Sequence, residues 1–432
     1  MAPAQGFTDQ VAMRDGIRLA TDVRLLGDGR RPAMLFRTPY LRTNEFLPVQ
    51  PSGDLPVAVV LQDVRGRFGS EGSFDLGAHD AADGADTIAW IRAQPWSDGR
   101  VSMHGISYAG HTQLQAARAK PEGLVSIAPI RCPAWWRPLT MHEGGALLLS
   151  LAAHWLPLQA MEAPGSTDSD RAALARIVLT FDQICDYPPG PPTSRCTLDL
   201  ARALQHEGLM RRPLRRRPEF DELPDFRVAW RRLFEEPFTG SWIDDPGPVE
   251  TDSPSCQTLL LSGWYDCWAQ DAVAMFQALQ RSGTESRLVM TPYSHAPEPV
   301  GDLPWGDDAG QFDDWCGVDW NREWLLDSSN RLRDLAPVTY FLVNAGTWHE
   351  SATWPPSNST TLTLHCAAGE GRGSGALQRK APDDEGTVRF AYDPRDPMPS
   401  RGGFALGLPA GPMEQTGPVS YTHLTLPTIL RV

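Results

Sequence analysis

The chain has 432 residues, with 53 Asp and Glu against 39 Lys and Arg and a formal net charge of −14. That balance argues against nucleic acid or an anionic membrane as the main partner. A composition 41% hydrophobic and 21% charged is globular, and the length predicts two or three domains with a large core.

The N-terminal "MAPAQGFTDQVAMRDG" has no apolar core, so no secretory signal is expected. Nowhere do about 18 apolar residues run together, so no membrane-spanning helix is expected either. "GIRLATDVRLL" (16–26) alternates as a half-buried strand does. "RPAMLFRTPY" (31–40) and the Val-rich "VAVVLQDVRG" (57–66) read as buried strands. "HDAADGADTIAWIRAQ" (79–94) has helical spacing at Ala85, Ile88, Ala89 and Ile91. A strand (100–107), a helix stopped by proline (113–121) and a strand (124–130) follow. Strands alternating with helices predict a parallel sheet with helices on both faces.

From about Pro133 to Ser255 the pattern changes to Ala/Leu-rich stretches and Pro-rich loops, read as a helical insertion. A basic run at 210–220 reads as a solvated helix end or linker. The α/β pattern resumes with a strand (257–266), a helix (272–283) and a strand (286–295). After Pro337 the chain turns β-like, with strands at 338–343 and 360–366. The seven cysteines are Cys132, Cys185, Cys196, Cys256, Cys267, Cys316 and Cys366. Their number is odd and no C-x-x-C occurs, so reduced thiols in a cytoplasmic protein are expected, with neither a zinc site nor a disulfide framework.

"HGISYAG" (104–110) places Ser107 between a strand and a helix, where an α/β hydrolase carries its nucleophile on a tight turn. Gly105 stands at −2, but Ala109 at +2 departs from G-x-S-x-G, and a structural serine is the alternative. Asp266 and His295 lie at the ends of the next two strands, in the order Ser, acid, His. Asp266 as a helix N-cap and His295 as a surface histidine are the bland readings. His104 and His111 are nearer in sequence but worse placed, one under the elbow and one along the helix. For the oxyanion, the Tyr108 backbone N–H and the Tyr40 hydroxyl of "RTPY" are candidates, with a buried aromatic as the alternative for Tyr40.

The stretches "MRDGIRLATDV", "RTPY", "QDVRGRFGSEGSF", "DGADTIAWIRAQPWSDGRVSMHGISYAGHTQ", "SGWYD", "PYSHA", "TWPP" and "YDPRDPMPSRGG" resemble the CocE/NonD family of serine hydrolases. These are relatives of the X-prolyl dipeptidyl peptidases of family S15. The family places its elbow glycine at +3, as Gly110 stands here. The resemblance implies Ser107 as nucleophile, Asp266 as acid, His295 as base, and Tyr40 with Tyr108 as the oxyanion pair. It implies an α/β fold: an α/β-hydrolase core (1–133 and 256–335), an inserted helical cap (134–255) and a jelly-roll-like C-terminal β domain (336–432). It also implies cleavage of a small ester or amide without cofactor or metal.

The open alternatives are an X-Pro dipeptidyl peptidase, an acyltransferase with the same triad, and a non-catalytic binding protein. A peptidase would need carboxylates for a free amine, and Glu143, Asp182, Asp186 and Glu207 lie in the cap. Trp135, Trp136, Trp155 and Trp264 are candidates for pocket lining or core packing. Oligomeric state is open. The tail "SYTHLTLPTILRV" (420–432) has no counterpart in the family and reads like a translated sequencing adapter. A truncated β domain is therefore expected, with an open edge and exposed apolar side chains from strands such as 338–343 and 360–366.

Overall fold

The computed structural model describes residues 5–26, 28–43, 56–74, 77–133, 256–296, 301–328, 331–368, 375–383, 402–404 and 410–413, with isolated positions between 142 and 159. The basic run, nearly all of the cap, Trp135, Trp136, Asp182, Asp186, Glu207, Cys185, Cys196, "YDPRDPMPS" and the tail at 420–432 lie outside the described residues.

Among the described residues, ten strands form one sheet. They are β1 (Gln5–Ala12), β2 (Arg18–Leu25), β3 (Arg31–Thr38), β4 (Ala58–Asp63), β5 (Ser97–Ile106), β6 (Leu124–Ile130), β9 (Gln257–Gly263), β10 (Ser286–Thr291), β11 (Val338–Leu342) and β12 (Thr347–Ser351). Between β6 and β9 the chain makes a two-stranded ribbon, β7 (His142–Glu143) with β8 (Ala146–Leu147). The order across the main sheet is β1-β2-β4-β3-β5-β6-β9-β10-β11-β12. The run from β4 to β11 is parallel, while β1, β2 and β12 pair antiparallel at the edges.

The apolar runs are buried strands because both sheet faces are covered. Helices α1 (Asp80–Arg92), α2 (Tyr108–Arg118) and α3 (Ala269–Arg281) bury Ile88, Ile91, Leu114, Phe276 and Leu279 in one core with Leu35, Val60, Leu260 and Leu288 of the strands. The alternate strand residues Leu259, Leu261 and Val289 pack with Trp320 of α4 (Trp315–Leu326) on the other side. Asn321 ties α4 to the sheet, donating to the Met103 carbonyl at 2.7 Å and accepting from Ser126 Oγ at 2.8 Å.

Two strands beyond residue 335 belong to this sheet. β11 pairs parallel with β10, Leu288 beside Val338, and β12 pairs with β11. Val338 and Phe341 are fully buried, so these two side chains of a strand expected to be exposed are covered, while Tyr340, Leu342 and Val343 are half-buried. Alternation reports which residues face a core but not which sheet the strand joins. The strand expected at 360–366 starts later, as β13 (His365–Ala368), paired with β14 (Gly375–Gln378). β1, β12 and α4 were not anticipated. β1 and β12 are polar edge strands, and α4 lies in a stretch dense in Trp and Asp with weak apolar periodicity. Among the described residues, no helix is long and apolar enough to cross a membrane.

Candidate active site

β5 ends in a turn too tight for ordinary backbone. Ser107 caps α2 with φ 61° and ψ −126°, strained for a residue bearing a Cβ. Gly105 has φ 152°, and a Cβ there would lie 2.6 Å from Ala109 Cβ. A Cβ on Gly110 would lie 2.7 Å from Cys132 Cβ, two residues past β6. The departure from G-x-S-x-G is thus a steric division of labour. Gly105 makes room for the alanine at +2, and Gly110 makes room for Cys132. Gln113 braces the turn: its amide donates to the Gly105 and Ala109 carbonyls at 3.1 Å, and its oxygen accepts from Ala128 N at 2.9 Å. Ser107 N–H donates to the Ile130 carbonyl at 2.9 Å.

Tyr40 reaches Ser107 from the loop after β3, with its hydroxyl 3.4 Å from Oγ. The Trp155 indole N–H donates to the same hydroxyl at 3.1 Å, and the Tyr108 backbone N–H also bonds to it. Burial pushes the Tyr40 phenol above its ordinary range, against the opposing pull of these hydrogen bonds and of Arg67. It therefore stays a neutral donor. The D-x-R-G stretch that starts at Asp63, the last residue of β4, and runs on to Gly72 holds both sides of this tyrosine. Arg67 Nε donates to the Pro39 carbonyl at 3.0 Å, and Asp63 accepts from Arg42 N at 2.7 Å and Arg42 Nη1 at 2.6 Å.

Asp266 and His295 come from the turns after β9 and β10. Strand register puts Ile106, Ile130 and Leu261 in one row across β5, β6 and β9, with Val289 of β10 beside Leu261. All the candidate loops therefore open at the carboxyl edge of the sheet, where α/β folds gather their sites. His295 Nδ1 lies 3.0 Å from Asp266 Oδ1, and the carboxylate is fully buried. Asp266 Oδ2 faces Ser262 Oγ at 3.5 Å, and the Trp268 ring meets the His295 ring edge-on at 5.3 Å. The N-cap of α3 is Trp268, with no side-chain cap, so the Asp266 carboxylate turns to the histidine and not to the helix. Among the described residues, the hydrogen bond of Ser107 Oγ is to Tyr40, and none joins it to His295.

His104 and His111 are fully buried, and burial pushes both imidazoles down to about 3. Groups held neutral at that level do not exchange protons near pH 7. Trp264 is a packing residue, with its indole N–H on the Phe341 carbonyl at 2.7 Å and its ring against Trp354. Of the two described candidates, Trp155 joins the site, stacked on Tyr108 with centroids 6.2 Å apart. Among the described residues, no cluster of three or more His, Cys, Asp or Glu could hold a metal ion.

The model of the X-Pro dipeptidyl-peptidase (S15 family) matches residues 15–297, well over half of the 432. The chain belongs to the S15 family. It is 29% identical over 425 residues to the cocaine esterase of Rhodococcus sp. (strain MB1 Bresler), covering 92% of this chain and 69% of that one. An α-amino acid ester hydrolase structure aligns with TM-score 0.57 at 21% identity, over 87% of this chain and 63% of that one. A CocE/NonD family hydrolase from Staphylococcus aureus aligns with TM-score 0.53 at 16% identity, over 87% of this chain and 60% of that one. The chain thus spans less than two thirds of the length of these two solved structures, and their likeness is one of fold. The matched region of this S15 chain holds Tyr40, Ser107, Asp266 and His295.

Gln113, Arg67 and Arg131, which carry contacts at this edge, were not singled out from the sequence. Arg67 and Arg131 act through partners distant in sequence, where spacing holds no signal, and the Gln113 brace depends on the shape of the turn itself. For Arg67 the D-x-R-G stretch marked the segment but not its task.

Proposed function

We propose that this S15-family chain is a serine hydrolase that cleaves a small ester or amide through an acyl-enzyme intermediate. The strained Ser107 elbow carries the reading. A backbone held at φ 61° costs stability, and such strain is kept where a nucleophile must be lifted above a sheet. His295 takes the Ser107 proton as Oγ attacks the carbonyl carbon, then delivers it to the leaving group. Asp266 fixes the tautomer by accepting from Nδ1–H and stabilises the imidazolium. Tyr40 and the Tyr108 N–H donate to the oxygen that becomes negative. Water then attacks the acyl carbon, His295 takes its proton and returns it to Ser107 Oγ as the bond to the acyl carbon breaks. Ser107 Oγ and His295 Nε2 must close to hydrogen-bond distance for this, a tightening that sites without substrate commonly need.

A helical cap over 134–255 and a jelly-roll-like domain after β12 would shape the acyl pocket, with Trp155 on its wall. Reduced cysteines fit a cytoplasmic location. The family match favours X-Pro peptidase activity as a second reading. Hydrolysis of a dipeptidyl-proline anilide, lost on N-acetylation, would establish it. A fluorophosphonate probe should label Ser107 alone, and Ser107→Ala should abolish labelling and lower kcat by ~10⁴–10⁶. Labelling that survives Ser107→Ala would refute the assignment.

A further inference from the structure

Arg131 stands one residue past β6, between the strands that lead to Ser107 and to Asp266. Its side chain is 1% exposed, and it holds φ 39°, rare for a residue with a Cβ. Its backbone N–H donates to the Leu261 carbonyl at 2.8 Å. Its neighbour Ile130 accepts the Ser107 N–H. The guanidinium then makes two different attachments. Nη2 meets both oxygens of Asp314, the residue that caps α4, at 2.5 and 2.7 Å. Nε donates to the main-chain carbonyl of His295 at 3.1 Å.

We infer that Arg131 is a positioning residue for His295, and the inference rests on the triad reading above. His295 is held at two points: its ring by Asp266 and its backbone by Arg131. With the ring nitrogen and the carbonyl both fixed, little freedom is left in where Nε2 points. Arg131 itself is fixed by Asp314, so the position of the base is referred to α4 and β6 as well as to its own loop. A planar guanidinium can serve a carboxylate and a carbonyl at once, which a point-charge lysine cannot do in the same geometry. A stability role alone is a weak reason for such a group, because a buried ion pair is often replaced by apolar residues at no cost.

That replacement supplies the test. In the Arg131→Met/Asp314→Leu double variant the pair is exchanged for apolar bulk and the hold on the His295 carbonyl is lost. Acylation is read as kcat/KM on two esters of one acid, one with a p-nitrophenyl and one with an ethyl leaving group. Misplacing the base by ~1 Å costs on the order of 10²-fold, and the ethyl ester also needs His295 to protonate its leaving group. The expected losses are ~100-fold on the ethyl ester and ~10-fold on the p-nitrophenyl ester. Fluorophosphonate labelling of Ser107 should be slowed but complete. Should the double variant fail to fold, Arg131→Lys carries the test, with the same split at smaller size. Equal losses on the two esters, or no loss, in a folded variant overturns the inference. Ser107→Ala run alongside separates the two failures. If it is inert while the esters show no split, only the role of Arg131 falls. If it is as active as the wild type, the triad reading itself falls.

Discussion

Ser107 is held mainly by its own turn, whereas His295 is held by side chains 29 and 164 residues away in sequence. On the nucleophile side, Gly105, Ala109, Gly110 and Gln113 all lie within the β5–α2 unit; the clearance of under 3 Å between Gly105 and Ala109 is internal to it, and that at Gly110 is set by Cys132 just past β6. On the base side, Asp266, Arg131 and Trp268 hold His295 from outside its own loop. The difference teaches that a strained backbone can be written locally, while aiming a side chain at it needs contacts that only the closed sheet supplies.

The comparison breaks hardest at the base. His295→Ala should cost about as much as loss of Ser107, and Asp266→Asn about 10⁴-fold in kcat, through the wrong tautomer. Activity of His295→Ala near the wild-type level would remove His295 from the chemistry. His104 and His111, neutral and buried, would not take its place.

Tyr40→Phe probes the point where the D-x-R-G stretch meets the elbow. It should lower kcat by ~10²–10³ with KM little changed, because the hydroxyl acts on charge that appears only in the transition state. A change confined to KM would make Tyr40 a wall of the pocket.

Gly105→Ala tests whether the nucleophile side is truly local. With φ at 152° and Ala109 Cβ only 2.6 Å from the new methyl, the variant should lose about 1–3 kcal/mol of stability and most of its activity. Adding Ala109→Gly should restore part of both, since it removes that contact. Thermal unfolding and ester turnover of the pair would show it. No recovery would mean that the strain resides elsewhere.

Acid should act first on the same side. His104 in β5 and His111 in α2 are held down to about 3, against about 6.5 in an unfolded chain. Below pH ~6.5 the unfolded chain takes up protons that the folded chain refuses, so stability falls as pH falls. The slope is ~1.4 kcal/mol per pH unit for each such histidine. His104→Gln should remove about one histidine's share of that slope in urea unfolding between pH ~4 and ~6.5. An unchanged slope would assign the acid sensitivity to other groups.

The parallel core was legible because strands buried on both faces must be continuous apolar runs, as at "VAVVLQD" and "QTLLLSG". The elbow was legible because its clearances admit only small residues at 105, 109 and 110. Asp266 and His295 could be placed because chain order puts successive parallel strand ends on one edge. Tertiary structure alone decided the rest. Whether "VTYFLV" joined the main sheet or a separate one depended on a free edge at β10, which no residue of that strand encodes. That Trp155 meets Tyr40 while Trp264 packs on Phe341 followed from where the loops return, not from the tryptophans themselves. The attachment of Arg131 to His295 spans the insertion between β6 and β9, a separation at which sequence pattern carries no register. Periodicity and sterics act over a few residues, so they determine elements and turns. Contacts between ends of different strands exist only once the sheet has closed.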